Sequence, residues 1–156
     1  MNFFKHLYKV LTHKFWVMYY CCKYGIIWQG ITHDISKFSF TEFLESYKYY
    51  VGTSSPINEA FKDKGYSEAW IHHFHNNPHH FEYWVYITDN KVIPLKMPNK
   101  YVLELCCDWL GAGRAYMGKS FTIEKEKDFV TNKLNKVSSL MHPDTKQQIQ
   151  EFFNKL

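Results

Sequence analysis

The sequence predicts an all-α protein, a single compact bundle of about six to seven helices over residues 1–156. Apolar residues recur at helical spacing, no segment alternates as a strand does, and proline and glycine divide the helical segments. A chain of 156 residues is long enough for one genuine core, and 46% hydrophobic against 22% charged residues is ordinary for a globular protein. We therefore expect one domain.

The first two helices are expected in the first third of the chain. Residues 3–24 form the longer one, because their apolar side chains return every three or four positions. Residues 31–50 are also predicted to be helical, in two pieces. Ser39 and Glu42 form a capping-box pattern, which marks the position at which the helix restarts.

The middle of the chain is predicted to hold two shorter helices and a loop. One helix begins after Pro56 and stops near Gly65, and a second covers residues 67–77. Pro78 ends the second helix, because the residue before a proline avoids helical geometry. Residues 87–100 contain two prolines and are predicted to be a surface loop with a short strand or hairpin.

The last third is predicted to contain three helices. The first covers residues 100–110. The segment Gly-Ala-Gly-Arg at residues 111–114 follows it, and its glycines predict that the helix ends there. The second covers residues 122–140. Pro143 starts the last helix, with Asp144 as its capping residue.

Composition and charge restrict the partners and the location that we expect. A net charge of +4 suits an anionic small molecule as well as nucleic acid and does not choose between them. No basic run forms a polybasic tail, and we expect a small phosphorylated molecule as the partner and no nucleic acid. No run of about 18 apolar residues is present and the first residues do not resemble a signal peptide, so we expect no membrane partner. We expect a cytoplasmic protein, in the host cytoplasm if a phage encodes it, and a homo-oligomer is compatible with the sequence.

The four cysteines occur as two adjacent pairs, Cys21-Cys22 and Cys106-Cys107. Zinc sites usually separate their cysteines by two to four residues, so adjacent pairs fit such a site poorly. We interpret them as buried small hydrophobic residues in a reducing compartment.

Histidine is the compositional outlier, with nine in the chain. Neutral imidazole and carboxylate groups are the usual ligands of Mn, Fe, Zn, Ni and Co, and helical bundles build such sites from side chains on several helices. The histidines and aspartates in or beside the predicted helices are therefore candidate ligands: His13, His33, Asp34, His72, His73, His75, His79, His80 and Asp108.

Each candidate also has a simpler interpretation. Asp34 could cap a helix, and His13 could lie at the edge of the core. Asp108 could be an exposed carboxylate near Glu104, and the histidines after Pro78 could lie in a solvated turn. Adjacent residues do not share a helix face, so His33 and Asp34 could reach one metal cluster only from a loose or 3₁₀-like turn.

The order of these residues resembles the ligand pattern of the HD superfamily of metal-dependent phosphohydrolases. The matching residues are His13, His33, Asp34, His73, His79, His80 and Asp108. The resemblance implies an HD-like helical bundle that binds two divalent transition-metal ions (Mn, Fe, Ni, Co or Zn). The additional histidines after the His-Asp pair resemble the branch with two or three metals, and the segment HDISK resembles its HD-x-x-K form.

Nearly the whole chain also resembles an uncharacterised small family of bacterial and phage proteins. The family pattern W-x-x-H-x-x-x-N-x-H-H-x-x-Y-W is matched from Trp70 to Trp84. This match favours His73 as a ligand and leaves His72 and His75 as surface or supporting residues. The chain lacks the glycine-tyrosine-proline motif of cyclic-dinucleotide phosphodiesterases, which argues against a cyclic-dinucleotide substrate.

The HD resemblance implies roles for the individual residues. Asp34 would bridge the two metals, and a metal-bridging hydroxide would attack the phosphorus of a nucleotide or another small phosphorylated metabolite. Lys37 would hold a phosphate oxygen and support catalysis. The remaining residues expected to bind substrate are Asn77, Arg114 and Trp84; Arg114 could equally be a helix-terminal charge, and Trp84 could equally be core.

Two alternatives stay open at this point. The same ligands could hold a di-iron pair that activates dioxygen, as in some proteins with an HD fold. The chain could also be a non-enzymatic, phage-type protein that binds a nucleotide or a host protein. Metal analysis and an assay for phosphate release would separate these functions.

Overall fold

The computed structural model describes residues 2–156, with side chains from Phe3 onward, and is 71% helical. The all-α prediction is therefore confirmed. Within the described part, the helices are α1 (Asn2–Lys23), α2 (Ile27–Thr32), α3 (Phe40–Lys48), α4 (Pro56–Lys64), α5 (Glu68–Asn76), α6 (Asn99–Met117), α7 (Ile123–Lys136) and α8 (Pro143–Asn154). Three short 3₁₀ segments, Ile35–Phe38, Phe81–Trp84 and Gly118–Ser120, connect them.

Local capping chemistry sets several helix ends as predicted. The Ser39 hydroxyl accepts a hydrogen bond from the Glu42 N–H at the start of α3. Gly65 ends α4 in the left-handed conformation, with φ of 78°. The start of α8 differs from the prediction: His142 is the capping residue, and its Nδ1 accepts from the Asp144 N–H.

The centre of the molecule is the packing of α1 along α6. A Cβ atom at Gly111 would lie 2.5 Å from Val17 Cγ2 and 2.9 Å from the Val17 backbone nitrogen. The glycine therefore allows the two helix backbones to approach closely. The prediction that α6 ends at residues 111–114 is wrong, because the helix continues to Met117 and uses its glycines for packing.

The remaining core lies where α7 and α8 cover α6. Leu110, Leu134 and Ile149 are fully or almost fully buried there. Cys21, Cys106 and Cys107 are buried free thiols, as predicted, whereas Cys22 is exposed.

A hairpin is present as expected near the loop predicted at residues 87–100, but it begins two residues earlier, at Val85. Strand β1 (Val85–Ile87) pairs antiparallel with β2 (Val92–Pro94), with Val85 opposite Pro94. Among the described helices, none combines the length and the apolar character needed to cross a lipid bilayer.

Candidate metal centre

Seven buried side chains from distant parts of the sequence meet beside the α1–α6 contact. They come from α1, from the turn after α2, from α5 and the segment that follows it, and from α6. They are the seven predicted metal ligands: His13, His33, Asp34, His73, His79, His80 and Asp108.

An unusual backbone conformation allows His33 and Asp34 to point in the same direction. His33 leaves the helix with φ of −50° and ψ of 127°, and Asp34 is left-handed, with φ of 55° and ψ of 26°. Asp34 is the one non-glycine residue in 2–156 with a positive φ. Aspartate tolerates this conformation better than most residues, although the strain costs about 1–3 kcal/mol. The Asp34 side chain makes no capping hydrogen bond, so the helix-cap interpretation does not apply.

Four side chains form a first cluster: His13, His33, Asp34 and Asp108. His13 Nε2 lies 3.3 Å from Asp34 Oδ2 and 3.1 Å from Asp108 Oδ1. His33 Nε2 lies 3.2 Å and 3.4 Å from the same two oxygens. Two imidazoles and two carboxylates thus surround one point.

A second cluster consists of Asp34, His73, His79 and His80. Asp34 takes part through its other oxygen, Oδ1, which lies 3.3 Å from His73 Nε2 and 3.4 Å from His79 Nε2. Asp34 therefore belongs to both clusters and faces each with a different carboxylate oxygen.

These separations are the ones that a shared metal ion would produce. Two ligand atoms that each lie about 2.1 Å from a cation are about 3.0 Å apart at a right angle and about 3.4 Å apart at a tetrahedral angle. The close distances between histidine nitrogens and aspartate oxygens, which involve His13, His33, His73 and His79, run from 3.1 Å to 3.4 Å. The spacing of these donor atoms fits transition-metal coordination, and His80 lies within 4.8 Å of the other donors of the second cluster.

Several buried polar atoms of the clusters are also unpaired. Within the described residues, no hydrogen-bond partner is found for Nε2 of His13, His33, His79 or His80, or for Oδ1 of Asp34, while Oδ2 of Asp34 forms an ion pair with Lys37. A buried donor or acceptor without a hydrogen-bond partner lowers the stability of the fold by about 1–3 kcal/mol. Several such atoms at one place therefore require an explanation. Metal ions at the two clusters would bind all of these atoms, and the residues therefore fit such ions.

Two glutamates that sequence reasoning missed orient the histidine rings. Glu104 Oε1 lies 3.1 Å from His33 Nδ1 and 3.2 Å from His79 Nδ1. Glu42 Oε2 lies 2.7 Å from His73 Nδ1. A carboxylate on the second ring nitrogen is the usual partner of a metal-binding histidine, because it fixes the tautomer and the ring orientation.

Glu104, His33 and His79 also lie close enough together to form a third group of possible ligands. The Nε2 atoms of both rings already face Asp34, at 3.2 Å and 3.4 Å. We therefore interpret the Glu104 contacts as hydrogen bonds donated by the two Nδ1–H groups.

The electrostatics suit metal binding at Asp34 and His80 and oppose it at His33. Burial lowers the pKa of His33, but Asp34 and Asp108 outweigh this effect and raise it well above its usual value, so a metal ion would displace a proton from this ring. Burial favours a raised pKa for Asp34, but His33 and Lys37 outweigh this effect and hold the pKa of Asp34 well below its usual range. Asp34 is therefore ionised at neutral pH. Burial and the neighbouring His79 hold the pKa of His80 well below its usual value, so the His80 ring is neutral.

A cavity of about 290 Å³ opens onto both clusters, and we call it the inner cavity. Its walls include His13, His73, His80 and Asp108, together with three lysines: Lys9, Lys37 and Lys133. The Lys37 ammonium lies 2.6 Å from Asp34 Oδ2, and its side chain is 29% exposed. Lys9 and Lys133 were not predicted, because they match no motif and reach the cavity only through the packing of α1 and α7.

Three residues predicted to bind substrate make other contacts. Asn77 is buried beneath the second cluster, where its amide donates to Ser36 Oγ and to the His73 carbonyl. The Trp84 indole donates to the Pro78 carbonyl. Arg114 donates to the Tyr20 hydroxyl and stacks on Phe121. The structure does not bring these three side chains to the inner cavity.

The two remaining histidines of α5 lie outside the clusters. His72 Nδ1 contacts Glu42 Oε1 at 2.7 Å, so it supports the glutamate that orients His73. His75 is exposed. These positions agree with the expectation that both are surface or supporting residues.

Comparison with known proteins identifies the family. A model of a family of unknown function, DUF5662, matches residues 2–155. The chain belongs to the DUF5662 family. No curated protein and no solved structure matches the chain. Membership in this family agrees with the predicted resemblance to an uncharacterised family, and the comparisons give no support for membership in the HD superfamily.

Proposed function

We propose that this protein is a metal-dependent phosphohydrolase that acts on a nucleotide or another small phosphorylated metabolite. The observation that carries the proposal is the position of Asp34. Its Oδ2 faces the first cluster and its Oδ1 faces the second, as a carboxylate that bridges two cations would. The order of the ligands along the chain also resembles that of HD phosphohydrolases, so an HD-like bundle is part of the proposal.

The chain offers enough ligands for two ions. His13, His33 and Asp108 would hold one ion and His73, His79 and His80 the other, with Asp34 shared between them. When bound, two divalent cations lower the pKa of water and neutralise negative charge on a phosphoryl group. Imidazole and carboxylate ligands suit Mn, Fe, Co, Ni or Zn.

The surroundings of the clusters favour an anionic substrate. Lys9, Lys37 and Lys133 line the inner cavity beside the proposed ions. Lys9 Nζ donates to the Ala115 carbonyl, which fixes its position, and Lys37 Nζ is close to Asp34. We assign to Lys37 and Lys133 the binding of phosphate oxygens, which would stabilise the charge that develops during hydrolysis.

The proposal extends to the setting of the reaction. The partner is a small phosphorylated molecule, and the reaction takes place in the cytoplasm. A cavity of about 290 Å³ lined by Lys9, Lys37 and Lys133 suits a phosphoryl group of a small molecule better than a nucleic-acid backbone.

An assay for phosphate release tests the proposal. Protein purified without added metal is loaded with Mn²⁺, Fe²⁺, Co²⁺, Ni²⁺ or Zn²⁺ and given a panel of nucleotides, phosphorylated sugars and phosphodiesters. We expect phosphate release with at least one metal. Asp34→Asn should lower the rate of phosphate release by more than roughly 10–100-fold, which is the loss typical when a residue that only supports a metal ligand is replaced. His75→Ala, an exposed change on the same helix as His73, is the control and should remain active.

The same assay addresses the two alternatives. Bound iron with oxygen-dependent turnover and no phosphate release would contradict the hydrolase proposal and support a di-iron oxygenase. Metal binding with no turnover on any substrate would contradict both enzymes and support a nucleotide-binding or host-protein-binding role. The three cavity lysines favour an anionic substrate for whichever reaction takes place there.

A further inference from the structure

A second and larger cavity adjoins the inner cavity. It has a volume of about 740 Å³, and we call it the outer cavity. Trp70, Ala112, Tyr116 and Lys133 line both cavities, so a molecule with its phosphate at the clusters could extend directly into the outer one.

The outer cavity has aromatic walls. Trp70 and Trp109 line it together with Phe129 and Met117. Trp109 is 7% exposed, and Phe129, on α7, is half exposed. Flat aromatic walls bind flat rings well, because stacking adds to the burial of apolar surface.

One buried carboxyl group is part of the lining of the outer cavity, whose walls also include Lys125 and Lys133. Glu126 is 1% exposed, yet it lines the outer cavity, and its Oε1 has no hydrogen-bond partner among residues 2–156. Its other oxygen packs directly against Gly113, where any side chain would collide with the carboxyl group. Burial, and to a lesser extent the charge of Asp108, raise the pKa of Glu126 to about 7.

An unpaired buried carboxyl group is costly unless something binds it. Glu126 lines the outer cavity and its Oε1 has no partner among the described residues, so a molecule bound in the cavity could supply one. Glu82, which also lines the outer cavity, has a buried Oε2 without a partner in the described residues. A molecule that donates N–H groups would satisfy carboxyl oxygens in this space.

We propose that the outer cavity binds the organic group of the substrate, and that this group is a flat ring bearing N–H donors, such as a nucleobase, which Glu126 recognises by accepting a hydrogen bond. This inference rests on the proposed function and narrows the substrate class to nucleoside phosphates. Glu126 is then a residue that determines specificity. It lies on the ring side of the substrate, and the metal clusters lie on the phosphate side.

Binding of unphosphorylated nucleosides tests the inference without any need for catalysis. Adenosine, guanosine, cytidine and uridine are titrated into the metal-free protein, with tryptophan fluorescence and calorimetry as readouts. We expect at least one to bind and to change the fluorescence, because Trp70 and Trp109 line the cavity. An analogue of that nucleoside with its exocyclic or ring N–H groups methylated should bind at least about 10-fold more weakly.

Two substitutions test the role of Glu126. Glu126→Leu keeps a similar volume and removes the acceptor, so it should weaken binding of the nucleoside about 10-fold or more and abolish the discrimination against the methylated analogue. Glu126→Gln keeps one acceptor oxygen and should have a smaller effect. Glu124→Gln, an exposed change on the same helix, is the control and should bind like the wild type. A melting curve establishes that each variant is folded.

The outcomes separate this inference from the proposed function. Failure of all four nucleosides to bind at millimolar concentration, or unchanged binding by Glu126→Leu, would overturn the inference. If the metal-loaded protein nevertheless hydrolyses p-nitrophenyl phosphate, the hydrolase proposal stands and only the assignment of the outer cavity to a nucleobase fails. The protein could also bind nucleosides in a way that depends on Glu126 and hydrolyse no phosphoester. This result would support the assignment of the outer cavity and contradict the hydrolase proposal.

Discussion

His33 and Asp34 are neighbours in the chain, yet His33 Nε2 lies 3.2 Å from Asp34 Oδ2. His33 leaves α2 with a non-helical backbone, and the left-handed backbone of Asp34, with φ of 55°, then turns the second side chain toward the first. The remaining donor atoms, from α1, α5 and α6, are placed around this pair. Strain that persists at one residue and directs its side chain to a cluster of buried donors is typical of a functional site.

Replacing Asp34 tests the bridge. We expect Asp34→Asn to fold, because asparagine also tolerates the left-handed conformation, and to bind fewer than two metal ions per chain. The loss should affect both ions, since Asp34 faces both clusters. Elemental analysis of the purified variant measures this. His80→Ala, which removes a ligand from the second cluster alone, is the comparison and should retain one ion.

The glutamates that contact the histidine rings, Glu42 and Glu104, should affect the affinity for metal ions. Glu104 accepts from Nδ1 of both His33 and His79, so Glu104→Gln should weaken metal binding about 10–100-fold while the ligands remain in place. Competition with a chelator of known affinity measures the change. An unchanged affinity would show that the two rings need no support from Glu104. Glu124→Gln is the matched control.

Lys133 should contribute to substrate binding without affecting the metal ions. Its side chain lines both cavities, and it is not a member of either cluster. Lys133→Met should lower kcat/KM for a phosphorylated substrate about 10–100-fold, as expected when a hydrogen bond to a charged group is lost. The metal content should equal that of the wild type. Lys136→Met, an exposed change on α7, is the control.

Glu126 should make the stability of the metal-free protein depend on pH. Burial raises the pKa of Glu126 from 4.5 to about 7, so between these values the folded chain holds a proton that the unfolded chain has lost. Stability should therefore fall as pH rises through this window, by at most about 1.4 kcal/mol per pH unit, and change no further through this group above it.

Urea unfolding at a series of pH values, compared between the wild type and Glu126→Gln, isolates this contribution. The difference in the free energy of unfolding between the two proteins should grow in favour of the variant from pH 5 to pH 7. A constant difference across this range would mean that Glu126 is already ionised in the folded chain below pH 5.

The seven residues that form the two clusters could be selected from the sequence because their chemical types and their order in the chain form a recognisable pattern. Helix caps such as Ser39 were predictable for a simpler reason, since a cap depends on residues three positions away. The packing role of Gly111 was not predictable, because a glycine that ends a helix and one that admits a neighbouring helix look the same in a sequence.

Glu42 and Glu104 were not predictable either. Each contacts a histidine ring that is 31 or 71 residues away in the chain, and no spacing rule connects them. The same holds for Lys133 and Glu126, whose positions at the cavities depend on how α7 packs against α6. Conversely, Arg114 suited an anion-binding role by charge alone, but its guanidinium is engaged by Tyr20 and Phe121.

Anomalous diffraction from crystals grown with Mn²⁺ tests the central claim most directly, because it locates metal ions without reference to any substrate. We expect two anomalous peaks about 3.5–4 Å apart. Oδ2 of Asp34 should bind the ion among His13, His33 and Asp108, and Oδ1 the ion among His73, His79 and His80. A crystal with no peak at these residues, or with the side chains of the two clusters turned away from Asp34, would contradict the proposed centre.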